Sequence, residues 1–325
     1  LPALQRPETK PYPDIGPSIS WPLNGVPWRY ASQGGYASPP GGGGPGQDPD
    51  DPKVQYKGRP GIDSRFEHLV LAFNRAGDIV EQWTQWDKFL RRPHGIYISP
   101  YDAEKHVWIV DDHNDVLYKF TNDGKQLLQT IGTKGKRGQD SMTFDRPTFM
   151  TFMPDGTMFV SDGYNGHRVV KLDKNGKWLK TWGERGTGPG QFNIPHTIAS
   201  DKDGNIYVGD RTNRRIQVFD SNGTFLRQFT GIDQPWAICI TPGANQVLFS
   251  SDANSGKIYK LDLTGKILGA FGSYGKQPKE FGWIHEMACP APNGSCSLSL
   301  REVKPESPPL CRREWNRCLR PVSSL

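Results

Sequence analysis

The 325-residue sequence predicts an all-β chain arranged as a six-bladed β-propeller whose last blade is incomplete. Three observations point there. Glycine (37) and proline (28) are abundant and aromatic residues make up 11%, a mixture that suits short strands and tight turns better than long helices. A motif recurs along the chain, each copy opening on a proline or an apolar residue at the head of a short strand. Within a copy, strand-like runs are separated by Asn-Gly and Asp-Gly turns, which mark hairpins.

The copies open at Pro60 (RPGIDS), Pro93 (RPHGIYIS), Pro147 (RPTFMTFM), Pro195 (IPHTIAS), Pro235 (QPWAICIT) and Ile284 (WIHEMACP). In the interior copies a second strand ends on aspartate: VWIVD at Asp111, TMFVSD at Asp162, NIYVGD at Asp210 and VLFSSD at Asp252. A third strand follows (VLYKF, RVVKL, RIQVF, KIYKL). After a glycine turn comes a fourth (KQLLQTIG, KWLKTWG, TFLRQFTG, KILGAFG). Four antiparallel strands in roughly 40–50 residues make one blade, with its first strand lining the central channel. The last copy departs from the pattern. After residue 295 the chain reads CSLSLREVKPESPPLCRREWNRCLRPVSSL, with no aromatic strand ending in aspartate. That leaves the last blade short of strands and its edge open unless the leader supplies strands. Residues 1–54, rich in Pro, Gly and Ser, cannot bury a core and read as an extended leader, in which ISWPLNGVPWRY could pack on the body through Trp21 and Trp28. The propeller is expected over 55–295, and an irregular Cys/Pro/Arg-rich tail over 296–325.

Composition narrows the function. The formal charge of +6 is scattered, which reads as solvated surface rather than a nucleic-acid face. No apolar run approaches the ~20 residues of a membrane span. The loop GERGTGPGQF resembles a phosphate loop only in its glycines, for it lacks the lysine and the following helix. The five cysteines form no CxxC pair, which argues against a cysteine zinc site and leaves disulfides and free thiols both open. The chain starts at Leu1, compatible with a removed signal peptide, and a monomeric, extracytoplasmic or secreted protein is expected.

The residue after each opening position carries the functional signal. In order these are Gly61, His94, Thr148, His196, Trp236 and His285. Histidine occupies alternate copies, and alternate blades of a six-membered ring stand about 120° apart. Equivalent inner-strand positions share one height, so the three imidazoles are expected to converge on the axis. Such a set suits zinc with a fourth position left open. The competing reading is three unrelated core histidines. Arg75 follows Asn74 and Arg211 follows Asp210, matching positions on opposite blades. They could flank an anion, since guanidinium grips carboxylate bidentately; paired surface arginines are the alternative. Tyr164, in SDGYNGHR, lies in the same kind of loop and by itself reads as a packing tyrosine.

FNIPHTIA, DGNIYVGDRTNRRIQVF and FVSDGYNGHRVVKL resemble NHL-repeat propellers. More narrowly, over about residues 60–290, the chain resembles the peptidyl-α-hydroxyglycine α-amidating lyases, as a free-standing bacterial relative. The resemblance implies a zinc held by three histidines, at His94, His196 and His285. It implies a catalytic tyrosine at Tyr164, in Asp-Gly-Tyr, and active-site arginines at Arg75, in Phe-Asn-Arg, and Arg211, in Asp-Arg-x-Asn. It also implies a structural calcium, whose candidate ligands here are the Ile96 carbonyl and Glu286, the latter standing where the family has aspartate. The animal enzymes' cysteine after the tyrosine is Asn165, so that disulfide is absent. The implied reaction cleaves an α-hydroxyglycine-type carbinolamide, on a small molecule or a peptide end, to an amide plus glyoxylate. Two other readings stand beside it. One is a non-catalytic NHL propeller that binds protein or glycan. The other is a propeller lactonase or related hydrolase, which would place carboxylates and asparagine around calcium where this register has His, Thr and Trp.

Overall fold

The computed structural model describes residues 28–31, 69–73, 79–252, 254–275, 279–281, 283–289 and 297–301. The first sheet holds β1 (Trp28–Ala31), β2 (Val70–Phe73) and β3 (Ile79–Gln82), followed by a 3-10 turn at Thr84–Trp86. The second holds β4 (Pro93–Ile98), β5 (Val107–Asp111), β6 (Val116–Phe120) and β7 (Leu127–Ile131). The third holds β8 (Phe149–Phe152), β9 (Met158–Asp162), β10 (Arg168–Leu172) and β11 (Trp178–Trp182). The fourth holds β12 (Pro195–Ser200), β13 (Ile206–Asp210), β14 (Arg215–Phe219) and β15 (Phe225–Phe229). The fifth holds β16 (Pro235–Ile240), β17 (Leu248–Asp252), β18 (Ile258–Leu261) and β19 (Ile267–Phe271). A short parallel pair, β20 (Ser273–Tyr274) and β21 (Glu280–Phe281), leads to the last sheet, β22 (Trp283–Ala288) and β23 (Ser297–Arg301).

The second to fifth sheets are antiparallel and ordered as in the chain, so the protein is a β-propeller with four complete blades among the described residues. Their first strands stand side by side, β4 against β8, β8 against β12, β12 against β16 and β16 against β22. Burial follows position in the blade. Every residue of β5, β9, β13 and β17 is buried, whereas β7 and β15 alternate as edge strands with one wet face do. The core lies between blades. Trp108, Val110 and Leu117 of one blade meet Met150, Val160 and Val170 of the next, and the same layering recurs from blade to blade. Exposed aliphatics such as Leu128, Leu179 and Leu226 occur singly on the outermost strands, a pattern normal for soluble surfaces.

Three of the strand-ending aspartates staple their blade to the segment that enters it, whereas Asp252 bonds its own turn at Asn254 and Ser255. Asp111 accepts the N–H groups of Arg91 and Arg92 at 2.8 and 3.1 Å. Asp162 accepts the Asp145 N–H and Arg168 Nε, at 2.8 and 2.9 Å. Asp210 accepts the Asn193 N–H at 2.7 Å and Arg215 Nε at 2.8 Å. Arg215 in turn donates to the carbonyls of Thr187, Gly188 and Gln191, pinning the glycine-rich loop. That loop is therefore a structural crossover.

Three expectations need comment. The opening at Pro60 lies outside the described residues, and the strand beside β4 is β1, supplied from the stretch expected to be leader. At the other end β23 pairs antiparallel with β22, so residues 297–301 add a strand beyond the expected boundary at 295. The cysteine question resolves in part. Cys239 of β16 is bonded to Cys289, just past β22, tying the last sheet to the preceding blade. Cys296, Cys311 and Cys318 lie outside the described residues.

Because Asp210 and Arg215 are both almost fully buried, removing the carboxylate strands a cation. Asp210→Ala should lower unfolding stability by about 3–5 kcal/mol, measured by urea titration. A loss under about 1 kcal/mol, the range of exposed pairs, would contradict the staple.

Candidate functional site

The inner strands carry a local irregularity at one position. In β4 the register with β5 shifts between Pro93 and Gly95, leaving His94 as an extra residue. The same shift occurs around His196 in β12, Trp236 in β16 and His285 in β22. A β-bulge re-aims a side chain that a regular pleat would send elsewhere. Here it delivers the imidazoles of three strands to one place. Gly61 lies outside the described residues, and Thr148 is spent locally, bonded to Ser161 Oγ at 2.9 Å.

His94, His196 and His285 are 1%, 0% and 4% exposed. Each offers a ring nitrogen within 4.8 Å of those of the others. Ring centroids are 5.1 Å apart for His94 and His196, 4.7 Å for His94 and His285, and 5.0 Å for His196 and His285. Three nitrogens on a tetrahedral zinc stand roughly 3.4 Å apart, so small ring rotations would close the set. His196 Nδ1 lies 2.7 Å from the Trp236 carbonyl. A carbonyl only accepts, so Nδ1 carries the hydrogen and Nε2 presents its lone pair inward. Burial, then the nearby Arg211 and His285, hold this imidazole well below its usual pKa and therefore neutral. Neutral imidazoles with second-sphere carbonyl partners are the donor type that zinc takes. The donor set fits that metal.

The side chains around the histidines form a cup. Phe149 is buried among all three, with centroids 5.1, 5.4 and 5.9 Å from His94, His196 and His285. The Tyr164 hydroxyl lies 2.9 Å from His94 Nε2 and 3.3 Å from His196 Nε2. Gly163 allows this. A Cβ there would fall 2.2 Å from the Pro195 carbonyl oxygen, so only glycine lets the Tyr164 loop seat on the strand bearing His196. Burial and then Asp112 push the Tyr164 phenol above its ordinary pKa, opposed by Arg92, Arg211 and Arg146. Arg211 lies 5.6 Å from the Tyr164 ring centroid and 4.3 Å from that of Trp236. Burial pulls its guanidinium below the usual value, and Tyr164 opposes this. Arg75 lies outside the described residues.

Several members of the cup were not picked out from sequence. Arg92 and Arg146 approach the Tyr164 ring to 5.6 and 4.6 Å. Their signal was the arginine preceding the opening proline in RPHG and RPTF. Asp112, which binds both, occupies the loop position that Arg211 holds in its own blade.

The two calcium candidates are neighbours, but the contact is of the wrong kind. The Glu286 carboxyl accepts the Ile96 N–H. Calcium takes six to eight oxygens, and among the described residues one carboxylate met by an N–H does not make such a cage. Glu286 is half-buried, and enclosure pushes its carboxyl up to about 8. The folded value lies above the unfolded one, so ionisation opposes folding as pH rises through about 8. The metal-free protein should lose melting temperature between about pH 4.5 and 8, and Glu286→Gln should flatten that loss. An identical decline in both proteins would contradict the assignment.

An NHL repeat family model matches residues 192–219, the first three strands of the His196 blade. The chain is 34% identical over 205 residues to NHL repeat-containing protein 3 of Mus musculus, covering 60% of this chain and 56% of that protein. It is 31% identical over 195 residues to peptidyl-alpha-hydroxyglycine alpha-amidating lyase 1 of Drosophila melanogaster, covering 55% and 35%. The chain thus spans little more than half the length of NHL repeat-containing protein 3 and about a third of the lyase. Among solved structures, virginiamycin B lyase of Staphylococcus aureus superposes with TM-score 0.50 at 16% identity, over 75% of this chain and 81% of that one, a likeness of fold alone. The chain is thus a β-propeller that carries one NHL repeat match and is similar both to NHL repeat-containing protein 3 and to the amidating lyases.

Proposed function

We propose that the protein is a zinc-dependent carbon–nitrogen lyase. It would cleave an α-hydroxyglycine-type carbinolamide, on a small molecule or a peptide end, to an amide and glyoxylate. One observation carries this reading above the others. A tyrosine hydroxyl is set between two of three converging, buried imidazoles, inside a cluster of guanidinium groups. A purely structural metal site needs no phenol at its open side.

His94, His196 and His285 would hold the zinc. A bound zinc ion supplies Lewis acidity, lowering the pKa of the substrate hydroxyl. Arg211, with Arg75, takes the substrate carboxylate and orients the carbinol carbon. Tyr164 acts as a proton relay. Held neutral by burial, it gives its proton to the departing nitrogen and takes the hydroxyl proton. The C–N bond breaks as the C=O bond of glyoxylate forms, so atoms and protons balance. Trp236 and Phe149 wall the site and exclude water.

We further read the molecule as a six-bladed ring, in which the first and last sheets complete the circle begun by the four full blades. The Cys239–Cys289 disulfide supports an oxidising compartment, hence an extracytoplasmic or secreted protein. Among the described residues no helix is long and apolar enough to cross a membrane. A monomer without a nucleic-acid partner fits the scattered charge. The similarity to NHL repeat-containing protein 3, whose name specifies no reaction, favours a second reading: a propeller that binds a protein or glycan at the same face.

Turnover of α-hydroxyhippurate to benzamide and glyoxylate separates the two. We expect turnover that a chelator abolishes and zinc restores, and in His196→Ala the loss of both zinc and activity. A protein that carries zinc but leaves α-hydroxyhippurate intact would favour the binding reading. Full zinc occupancy in His196→Ala would refute the shared metal site.

A further inference from the structure

Asp112 has no assigned role, yet it touches more of the site's charge than any other acid described. It is fully buried. Its carboxylate takes Arg92 side-on through Nε and Nη2, and takes Arg146 through Nη2 at 2.8 Å and Nε at 3.3 Å. The two arginine side chains are 12% and 13% exposed. Each guanidinium faces Tyr164, with Cζ 5.6 and 4.6 Å from the ring centroid. Arg211 reaches the same ring, yet among the described residues it has no carboxylate partner. The three cations are thus divided. Two are tied to one acid; the third bonds the Tyr164 side chain and, among the described residues, has no acid, which leaves its charge for a ligand.

An arginine side chain has many rotamers, and a fork held through both nitrogens keeps few of them. Arg92 and Arg146 also precede β4 and β8, the strands that open adjacent blades. Asp112 therefore joins two blade entrances through contacts that end on one phenol. We propose that Asp112 is a positioning residue: by clamping Arg92 and Arg146 against the Tyr164 ring, it fixes the hydroxyl between His94 and His196 and leaves Arg211 to meet the substrate carboxylate. The chemistry assigned to Tyr164 rests on the lyase reading; the clamp itself is a statement about position.

Asp112 as a mere tie between blades predicts lower stability and nothing more. The clamp predicts coupling to Tyr164. In the zinc-loaded protein, Asp112→Asn should lower kcat on the order of 10- to 100-fold through misplacement of the phenol, with KM within about threefold because Arg211 is untouched. In Tyr164→Phe the hydroxyl is already gone, so adding Asp112→Asn should cost less than about threefold more. Arg146→Gln, which leaves Asp112 paired with Arg92, should show the same coupling if Asp112→Asn does not fold. Crystal structures of the same variants decide the matter without turnover. The Tyr164 hydroxyl should move by about 1 Å or more from its place between the imidazoles, while the three histidines stay. Additive losses in the double variant, or a Tyr164 hydroxyl unmoved in Asp112→Asn or Arg146→Gln, would overturn the proposal. Absence of α-hydroxyhippurate turnover in the native protein would instead sink the lyase reading and leave the structural test standing.

Discussion

The site depends on a one-residue bulge at the head of the inner strands. A regular pleat sends successive side chains to opposite faces, toward one neighbouring blade or the other. The extra residue escapes that alternation and turns to the axis. His94, His196, Trp236 and His285 all occupy it. The identity of the bulge residue then decides what the channel presents. Three imidazoles meet because three strands make the same local departure at one height.

Such departures persist only on a rigid frame. Layers of aliphatic and aromatic side chains between blades provide it, with Asp111, Asp162 and Asp210 stapling their blades to the entering segments. The frame also brings residues of different blades together. Gly163 lets the Tyr164 loop sit directly on the Pro195 backbone. Asp112 gathers arginines from two blade entrances. Charge follows the same plan. The three histidines meet a phenol, and three guanidinium groups face the ring of that phenol. That ordering suits a ligand with an anionic end held outward and a reacting hydroxyl held inward.

Much of this was legible in the sequence, for definite reasons. The period of the repeat gives the blades, and one register column gives His94, His196 and His285 together, because a propeller turns sequence register into position around an axis. Other features were hidden by the same folding. The aromatic residues of ISWPLNGVPWRY mark that stretch as able to pack on the body, but no repeat register places Trp28–Ala31 as a strand until β2 pairs with it. The strand at Ser297–Arg301 lacks the aromatic-to-aspartate pattern that marked the others. Arg92 and Arg146 precede the openings, outside the column in which the histidines appeared. Asp112 looks like one more acid in DDHND. Their convergence on Tyr164 depends on side-chain direction across blade boundaries, which periodicity does not encode.

The central claim is that three histidines from three inner strands hold one zinc ion. X-ray absorption at the zinc edge of the zinc-loaded protein tests it most directly. The account predicts three imidazole nitrogens at about 2.0–2.1 Å and one further light ligand. A zinc bound by fewer than three imidazoles, or by oxygen alone, would contradict it.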